Sequence, residues 1–546
     1  MFVQRLFFTT VYLFTIIFGL KSQNTLGTLR NDPGTYDGYT LFGSVGGFKH
    51  YLIDNCGSVV KDWTSNFPPG LAAYLDADGS LYRSCRILNQ SMSMGGLGGR
   101  IERYDWSGNL LWFYRISGPD STSHHDFHVL PNGNILVLVV YLRPISSLVP
   151  WGRNPSLTAD TMIFSESVLE LRPIGQNSAQ IVWRWNALDH TIQDFDSTKT
   201  RYGQVADHPE KMNINYIGSS NNRDWMHINS IDYREDLDQI VLSFRHTNEI
   251  WVIDHSTTTQ EASGSSGGRY GKGGDILYRW GNPSVYNRGT VADQKLFGAH
   301  DAHWVASGNP GAGNFLIFNN GDLTGTSSVL EWQSPADAQG FYPGLLPNEQ
   351  FGPDSILWSY TNNSTLFYAN RLSSAQRLPN GNTLICSGPN GYFLEVDTNG
   401  QIFWEYRNPA TGTGILTQGQ VVNLGINSVF AINRYSPNDS AFIGRTLIAG
   451  APVELNPDQS NCQLTTNLDY YQPTAVKIYP NPAGTFFQLD EIPEGNLVQI
   501  FNLQGQLIQQ VETKGNNNQI DCSTWPAGIY LISIQNGIQT LKIVKE

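Results

Sequence analysis

The chain has 546 residues, a formal net charge of −13, and 15% charged, 40% hydrophobic and 12% aromatic residues. A chain this long and apolar exceeds one small core and is neither disordered nor collagen-like. Its diffuse acidity argues against nucleic-acid binding, its 5 cysteines are too few for a disulfide scaffold, and its 54 glycines, aromatics and Asn-Gly turns indicate an all-β protein.

Residues 1–23 place Arg5 ahead of an apolar run from Leu6 to Leu20, with small and polar residues near Ser22. Basic, apolar and cleavage regions in that order predict a secretory signal peptide, so the mature chain is expected to be exported and not membrane-spanning.

A strand whose fifth position is aromatic then recurs six times: VVKDW to Trp63, LLWFY to Tyr114, IVWRW to Trp185, ILYRW to Trp280, ILWSY to Tyr360 and IFWEY to Tyr406. A second element of strand, polar turn and strand follows each. It is clearest as HDFHVLPNGNILVLV from His125 and SSAQRLPNGNTLICS from Ser373, with a degenerate sixth copy around 420–433. Four strands repeated six times predict a six-bladed β-propeller over 24–455. The anchors lie 46 residues apart at the closest (Tyr360 to Tyr406) and 95 at the widest (Trp185 to Trp280), so loops of very different length are expected over one scaffold.

In a propeller, equivalent positions converge on the central channel. Aligning the second elements puts His125, His227 and His300 at the first position, with His128, His303 and Gln376 at the fourth. Because a regular strand alternates faces, the first three are expected to face the channel and His128 and His303 to pack inside their blades. Asn229 and Arg245, close to His227 in sequence, are fixed donors that suit an anion pocket better than a metal. No metal or cofactor is expected.

These residues sit in DWMHINSIDY (Asp224 to Tyr233), VLSFRHTNEIWVID (Val241 to Asp254), GAHDAHWV (Gly298 to Val305) and HHDFHVLPNGN (His124 to Asn134). Together with GYFLEVDTNGQIFWEYRNP (Gly391 to Pro409), these segments resemble the bacterial arylsulfotransferase family over roughly 40–450. The resemblance implies a six-bladed propeller that moves a sulfuryl group from an aryl sulfate to a phenolic acceptor through a sulfohistidine, without a nucleotide sulfate donor. It implies His300 as nucleophile, His227 and Asn229 as active-site residues, Arg245 as the sulfate-binding arginine, and His125 as the earlier channel histidine, a role for which His124 and His128 compete. Trp225 and Trp304 are candidates to sandwich the aryl ring, and His128 and Asp301 are further candidate substrate contacts. The sequence departs from the family in carrying Ser373 and Ser374 where other copies have histidine. It also leaves little chain for the family's N-terminal dimerisation domain, which leaves dimerisation open.

Lesser features are expected to be structural or peripheral. His190, Asp194 and 206–210 lie in the long insertion and are candidates for a lid over the channel mouth. The Gly-rich 264–274 reads as a turn, not a phosphate loop. Cys56 and Cys85 are expected in the first blade, where export permits a disulfide that the sequence leaves undecided, and Cys386 reads as a buried strand residue.

Residues 456–475 read as a linker, and 476–546 as a small antiparallel β-sandwich. Its motifs YPNP, VQIFNLQGQLI and PAGIYLISI and its ending LKIVKE resemble the C-terminal sorting domain of type IX secretion. That resemblance implies the secretion machinery as a partner, and a secreted or cell-surface destination. Two other readings of the propeller stand beside sulfuryl transfer: a non-catalytic propeller that binds a ligand or glycan, and a lyase or hydrolase on the same scaffold.

Overall fold

Short apolar strands broken by glycine and asparagine turns fold into antiparallel meanders, since a two-to-five-residue turn lets each strand pair with the one before it. The structure, a computed structural model, describes residues 24–462 and 477–546 except 90, 219–222, 322–324, 491–496, 503–505, 515–517 and 535–538. The expected signal peptide, 1–23, and most of the expected linker lie outside the described residues. The chain divides into two units between Leu464 and Thr465.

Among the described residues the first unit contains six antiparallel sheets of four or five strands. The second sheet, for example, runs Pro69–Leu75, Leu81–Arg86, Gly99–Tyr104 and Leu110–Arg115, and the third runs Ser121–Val129, Ile135–Pro144, Met162–Ile174 and Ser178–Asn186. The fourth begins with Ile228–Arg234, the fifth with His300–Trp304 and the sixth with Ser374–Arg377. The degenerate sixth repeat contributes one strand, Asn433–Tyr435, which pairs with Tyr39–Gly43 of the first sheet. At the other end, Gly27–Asn31 adds a fifth strand to the outer edge of the sixth sheet. The chain ends thus interlock, and an open edge is covered.

Hydrogen bonds close the innermost strands into a ring. Ile231 N donates to Asp126, Ala302 N to Ser230, Trp304 N to Asp232, Ala375 N to Asp301, Ile432 N to Ser374 and Arg434 N to Gln376, at 2.7–3.2 Å. Leu75 N donating to Tyr435 Oη at 2.9 Å and Tyr74 Oη to Asp126 at 2.6 Å complete the circle. The sheets are therefore blades of a closed propeller.

Each aromatic anchor lies on the fourth strand of its blade, counted outward from the axis. Trp63, Trp185, Trp280, Tyr360 and Tyr406 are buried between blades, where a large ring removes the most apolar surface from water. The last asparagine of the LPNGN turn has its own task. Asn134, Asn382 and the equivalent Asn314 donate to Glu170, Glu395 and Glu331 on the third strand of the same blade. Each of those carboxylates also meets a cation from the following blade, respectively His255, Arg434 and Arg377. The repeat therefore encodes an inter-blade lock in which the buried charges are paired and hydrogen-bonded.

Cys56 is bonded to Cys462 across 406 residues of chain, while Cys85, Cys386 and Cys522 are buried and free. The undecided Cys56–Cys85 bridge is thus absent. Asn24 Nδ2 donates to Asp458 O at 2.7 Å and Asn461 Nδ2 to Leu29 O at 3.0 Å. Residues 456–462, expected as the start of the linker, instead belong to the propeller.

The second unit holds a three-stranded and a four-stranded antiparallel sheet. They share one core that includes Phe487, Leu489, Val498, Ile500, Ile532 and Ile543.

Candidate functional site

The innermost strands do not alternate regularly. In the second to fifth blades the pairing register of the innermost strand shifts, one or two extra residues being left unpaired. Leu71, His125 and Asp301 adopt positive φ within these shifts, as do His227 and Ser373 just before their strands. For side chains other than glycine this is an uncommon conformation that surrounding structure must hold in place. The bulge resets the alternation, so the first and fourth positions both reach the axis. The expectation that His128 and His303 pack inside their blades is therefore overturned. With Tyr74, Asp232, Gln376 and Asn433, one residue from every blade at the fourth position, they line an axial cavity of about 340 Å³.

The inter-blade hydrogen bonds also correct the alignment of the fourth blade. Ser230 and Asp232 are equivalent to Asp301 and His303, so Asn229, not His227, shares the first position with His125, His300 and Ser373. His227 lies two residues earlier, in the turn entering its strand. It still meets His125, their ring centroids being 4.6 Å apart.

His300 is buried and its tautomer is set by its neighbours. Asn320 Nδ2 donates to the Ala369 and Leu372 carbonyls, which leaves Asn320 Oδ1 as acceptor for His300 Nδ1 at 2.8 Å, with Gly298 O at 3.0 Å. Nε2 is then the unprotonated nitrogen, and Leu372 N donates to it at 3.3 Å. Burial first, then the charge of Arg245, lowers the His300 pKa to about 3, so the ring is neutral at pH 7. His125 is pushed well below its ordinary value by burial, then by His227, His124, His300 and Arg245.

His227 Nδ1 bonds Asp224 Oδ2 at 2.7 Å, a carboxylate partner that fixes the orientation of the ring. His124, a competitor for the channel role, stands behind: its Nδ1 is 3.0 Å from His125 Nδ1 and its Nε2 is 2.9 Å from Glu166 Oε2. Asn229 Nδ2 donates to Ala299 O at 2.7 Å, one residue before His300, while its buried Oδ1 finds no hydrogen-bond partner among the described residues. It braces the backbone beneath His300. Arg245 lies just beyond its strand, Gln239–Phe244, in a turn where its N donates to His227 O and its guanidinium reaches Asn370 O at 3.2 Å.

Next to these histidines is a cleft of about 800 Å³ whose lining includes Arg86, Arg371, Leu372, Gly95 and Gly96. Gly96 has φ +70°, and a Cβ there would fall 2.0 Å from the His125 ring. Only glycine lets this loop lie over the imidazole. The site thus combines neutral imidazoles with guanidinium groups at one mouth, an arrangement that accepts an anion.

The opposite cavity has another character. Asp126, Asp232 and Asp301 line it together with His128, His303 and Trp304. Burial raises the Asp126 pKa to about 6 and that of Asp301 to about 7. His128, Asp301 and Trp304, expected as substrate contacts near His300, are thus placed here. Trp225 is buried in the blade core, donating to Phe164 O at 2.9 Å with Arg153 over its ring, so it offers no face to a ligand. His190 is likewise enclosed, bonded to Asp275 and Ala262 O and stacked on Trp185, and is not part of a lid.

Sequence reasoning passed over His246 and Asp224, although both stand in the motifs quoted above. They gather with His227 so that one ligand atom from each lies within 4.8 Å of the others, making them the residues able to hold a metal ion among those described. The signal was the adjacency of His246 to Arg245 in SFRH.

A family profile described as Arylsulfotransferase (ASST) matches residues 49–411, and one described as Secretion system C-terminal sorting domain matches 477–546. The ulvan lyase NLR42 of Nonlabens ulvanivorans is 25% identical over 322 residues, 56% of this chain and 52% of that protein. The chain therefore spans about half the length of the curated relative it matches. Among solved structures, the β-propeller domain of Cps50 (Swd1) from Myceliophteria thermophila aligns with 71% of this chain and 90% of its own at 9% identity and TM-score 0.35. A streptogramin B lyase aligns with 76% and 98% at 11% identity and TM-score 0.34. The C-terminal unit marks the chain for export to the cell surface or secretion. Among the described residues no helix is long and apolar enough to cross a membrane.

Proposed function

This chain belongs to the arylsulfotransferase family, and we propose that it moves a sulfuryl group from an aryl sulfate to a phenolic acceptor through a sulfohistidine at His300, with no nucleotide sulfate donor. The observation that carries the proposal is the tautomer of His300: a buried, neutral imidazole with Nδ1 tied to Asn320 and Nε2 unprotonated beside Arg245. The Nε2 lone pair attacks sulfur and the sulfur–aryl oxygen bond breaks, the electron pair leaving with the oxygen. His227, its ring oriented by Asp224, acts as the general acid that gives a proton to that oxygen. An acceptor phenol then attacks sulfur, returns a proton to His227 and releases His300. Sulfuryl transfer, like phosphoryl transfer, passes through a loose transition state in which charge gathers on the equatorial oxygens, and Arg245 is the fixed cation that meets it. Asn229 acts as a positioning residue through the Ala299 carbonyl.

A second reading is favoured by the likeness to an ulvan lyase. The same arginines would neutralise the carboxylate of an acidic polysaccharide while an imidazole takes the α-proton. Turnover of a chromogenic aryl sulfate against that of ulvan separates the two. Phenol release that depends on an acceptor supports sulfuryl transfer, whereas an unsaturated product absorbing in the ultraviolet supports the lyase. Turnover of neither leaves a ligand-binding propeller.

A further inference from the structure

We propose that Asp224, His227 and His246 form a binding site for one divalent transition-metal ion of the zinc class. One carboxylate and two imidazoles offer ligand atoms within 4.8 Å of one another, and the two rings have centroids 5.0 Å apart. Small side-chain rotations bring such atoms to the ~2 Å bonds of a zinc site, leaving a coordination position open for water or an anion. Nitrogen-rich donors favour zinc and its neighbours over calcium or magnesium, which require a shell of oxygens.

The backbone keeps the three residues in register. Asp224 and His227 enter the fourth blade on one turn, and His246 leaves its second strand on another. Arg245 N donates to His227 O at 3.0 Å and His246 N to Met226 O at 3.1 Å, joining the turns into one cradle. Gly218 closes the back of it so tightly that a Cβ there would fall 1.7 Å from His246 O. A site whose ligands are fixed by main-chain bonds loses little entropy on binding.

His227 would serve both this site and sulfuryl transfer. Resting on the transfer reading, zinc is then expected to inhibit turnover. The binding itself does not depend on that reading.

The test is metal retention by the purified mature chain, equilibrated with buffered free Zn²⁺, dialysed and analysed by plasma mass spectrometry. About one zinc per chain is expected, with affinity at least about tenfold lower in His246→Ala and Asp224→Asn and unchanged in His303→Ala. No retained zinc, or equal retention in the two ligand variants, overturns the site. If those variants do not fold, Co²⁺ added to the unaltered chain decides: an intense visible spectrum of low-coordinate cobalt is expected, and the weak spectrum of the hexa-aquo ion refutes the proposal.

Discussion

The two ends of the propeller axis are built from the same strands, three residues apart, and carry opposite chemistry. At the first position and the turns around it are His125, His300, His227 and Arg245, the neutral imidazoles of His125 and His300 standing near a fixed cation. At the fourth are His128, His303 and Asp232, with Asp126 and Asp301 next to them and no arginine or lysine in the lining. The bulge makes this possible by turning both positions inward. One end is suited to a sulfate, while the other, whose Asp232 carboxylate is stabilised by hydrogen bonding to His128, repels one. A ring of equivalent repeat positions is therefore no guarantee of one site.

The largest effect should separate the ends directly. His300→Ala is expected to lower kcat on an aryl sulfate by about 10³-fold or more, while His303→Ala changes it less than about threefold, both folded by circular dichroism. Comparable losses would merge the two ends into one site.

A second contrast is between chemistry and closure. The Cys56–Cys462 bond ties the first blade to the segment that follows the ring-closing strand. Cys56→Ser with Cys462→Ser should lower unfolding free energy by about 2–5 kcal/mol and leave kcat unchanged, whereas Cys85→Ser should not reproduce that loss.

The smallest effect concerns the acidic end. The Asp301 pKa is about 7 in the folded chain against 3.8 unfolded, so the stability it contributes as a neutral acid is full below about pH 3.8 and lost as pH rises toward 7. Asp301→Asn keeps an acceptor for Ala375 N and removes that loss. Thermal unfolding should show a gain of roughly 1–3 kcal/mol at pH 8 and a smaller one at pH 5. An equal gain at both pH values would mean that the carboxyl is not held back by burial.

Much of the fold was legible because its signals are local and periodic. The six aromatic anchors mark the fourth strands, and the LPNGN turns mark hairpins whose last asparagine holds a third-strand glutamate. The candidate site was legible mainly through the resemblance, which named His300, His227 and Arg245 in their motifs. What failed was strand periodicity: a period of two hid His128 and His303 from the axis because a bulge leaves no clear trace in composition. Equal spacing likewise misplaced His227, since the first position of its blade is Asn229, two residues further on. Trp225 misled because a conspicuous aromatic beside an active-site motif has two uses, and here it is core. The partner of Cys56 was illegible for a different reason, as 406 residues separate it from Cys462.

The central claim is that His300 carries the sulfuryl group. Brief exposure of the purified chain to a chromogenic aryl sulfate, followed by peptide mass spectrometry, tests it most directly. A single sulfuryl adduct on the His300 peptide, discharged by added phenol, is the predicted result. Phenol-dependent turnover with the adduct on another histidine, or with none, would contradict it.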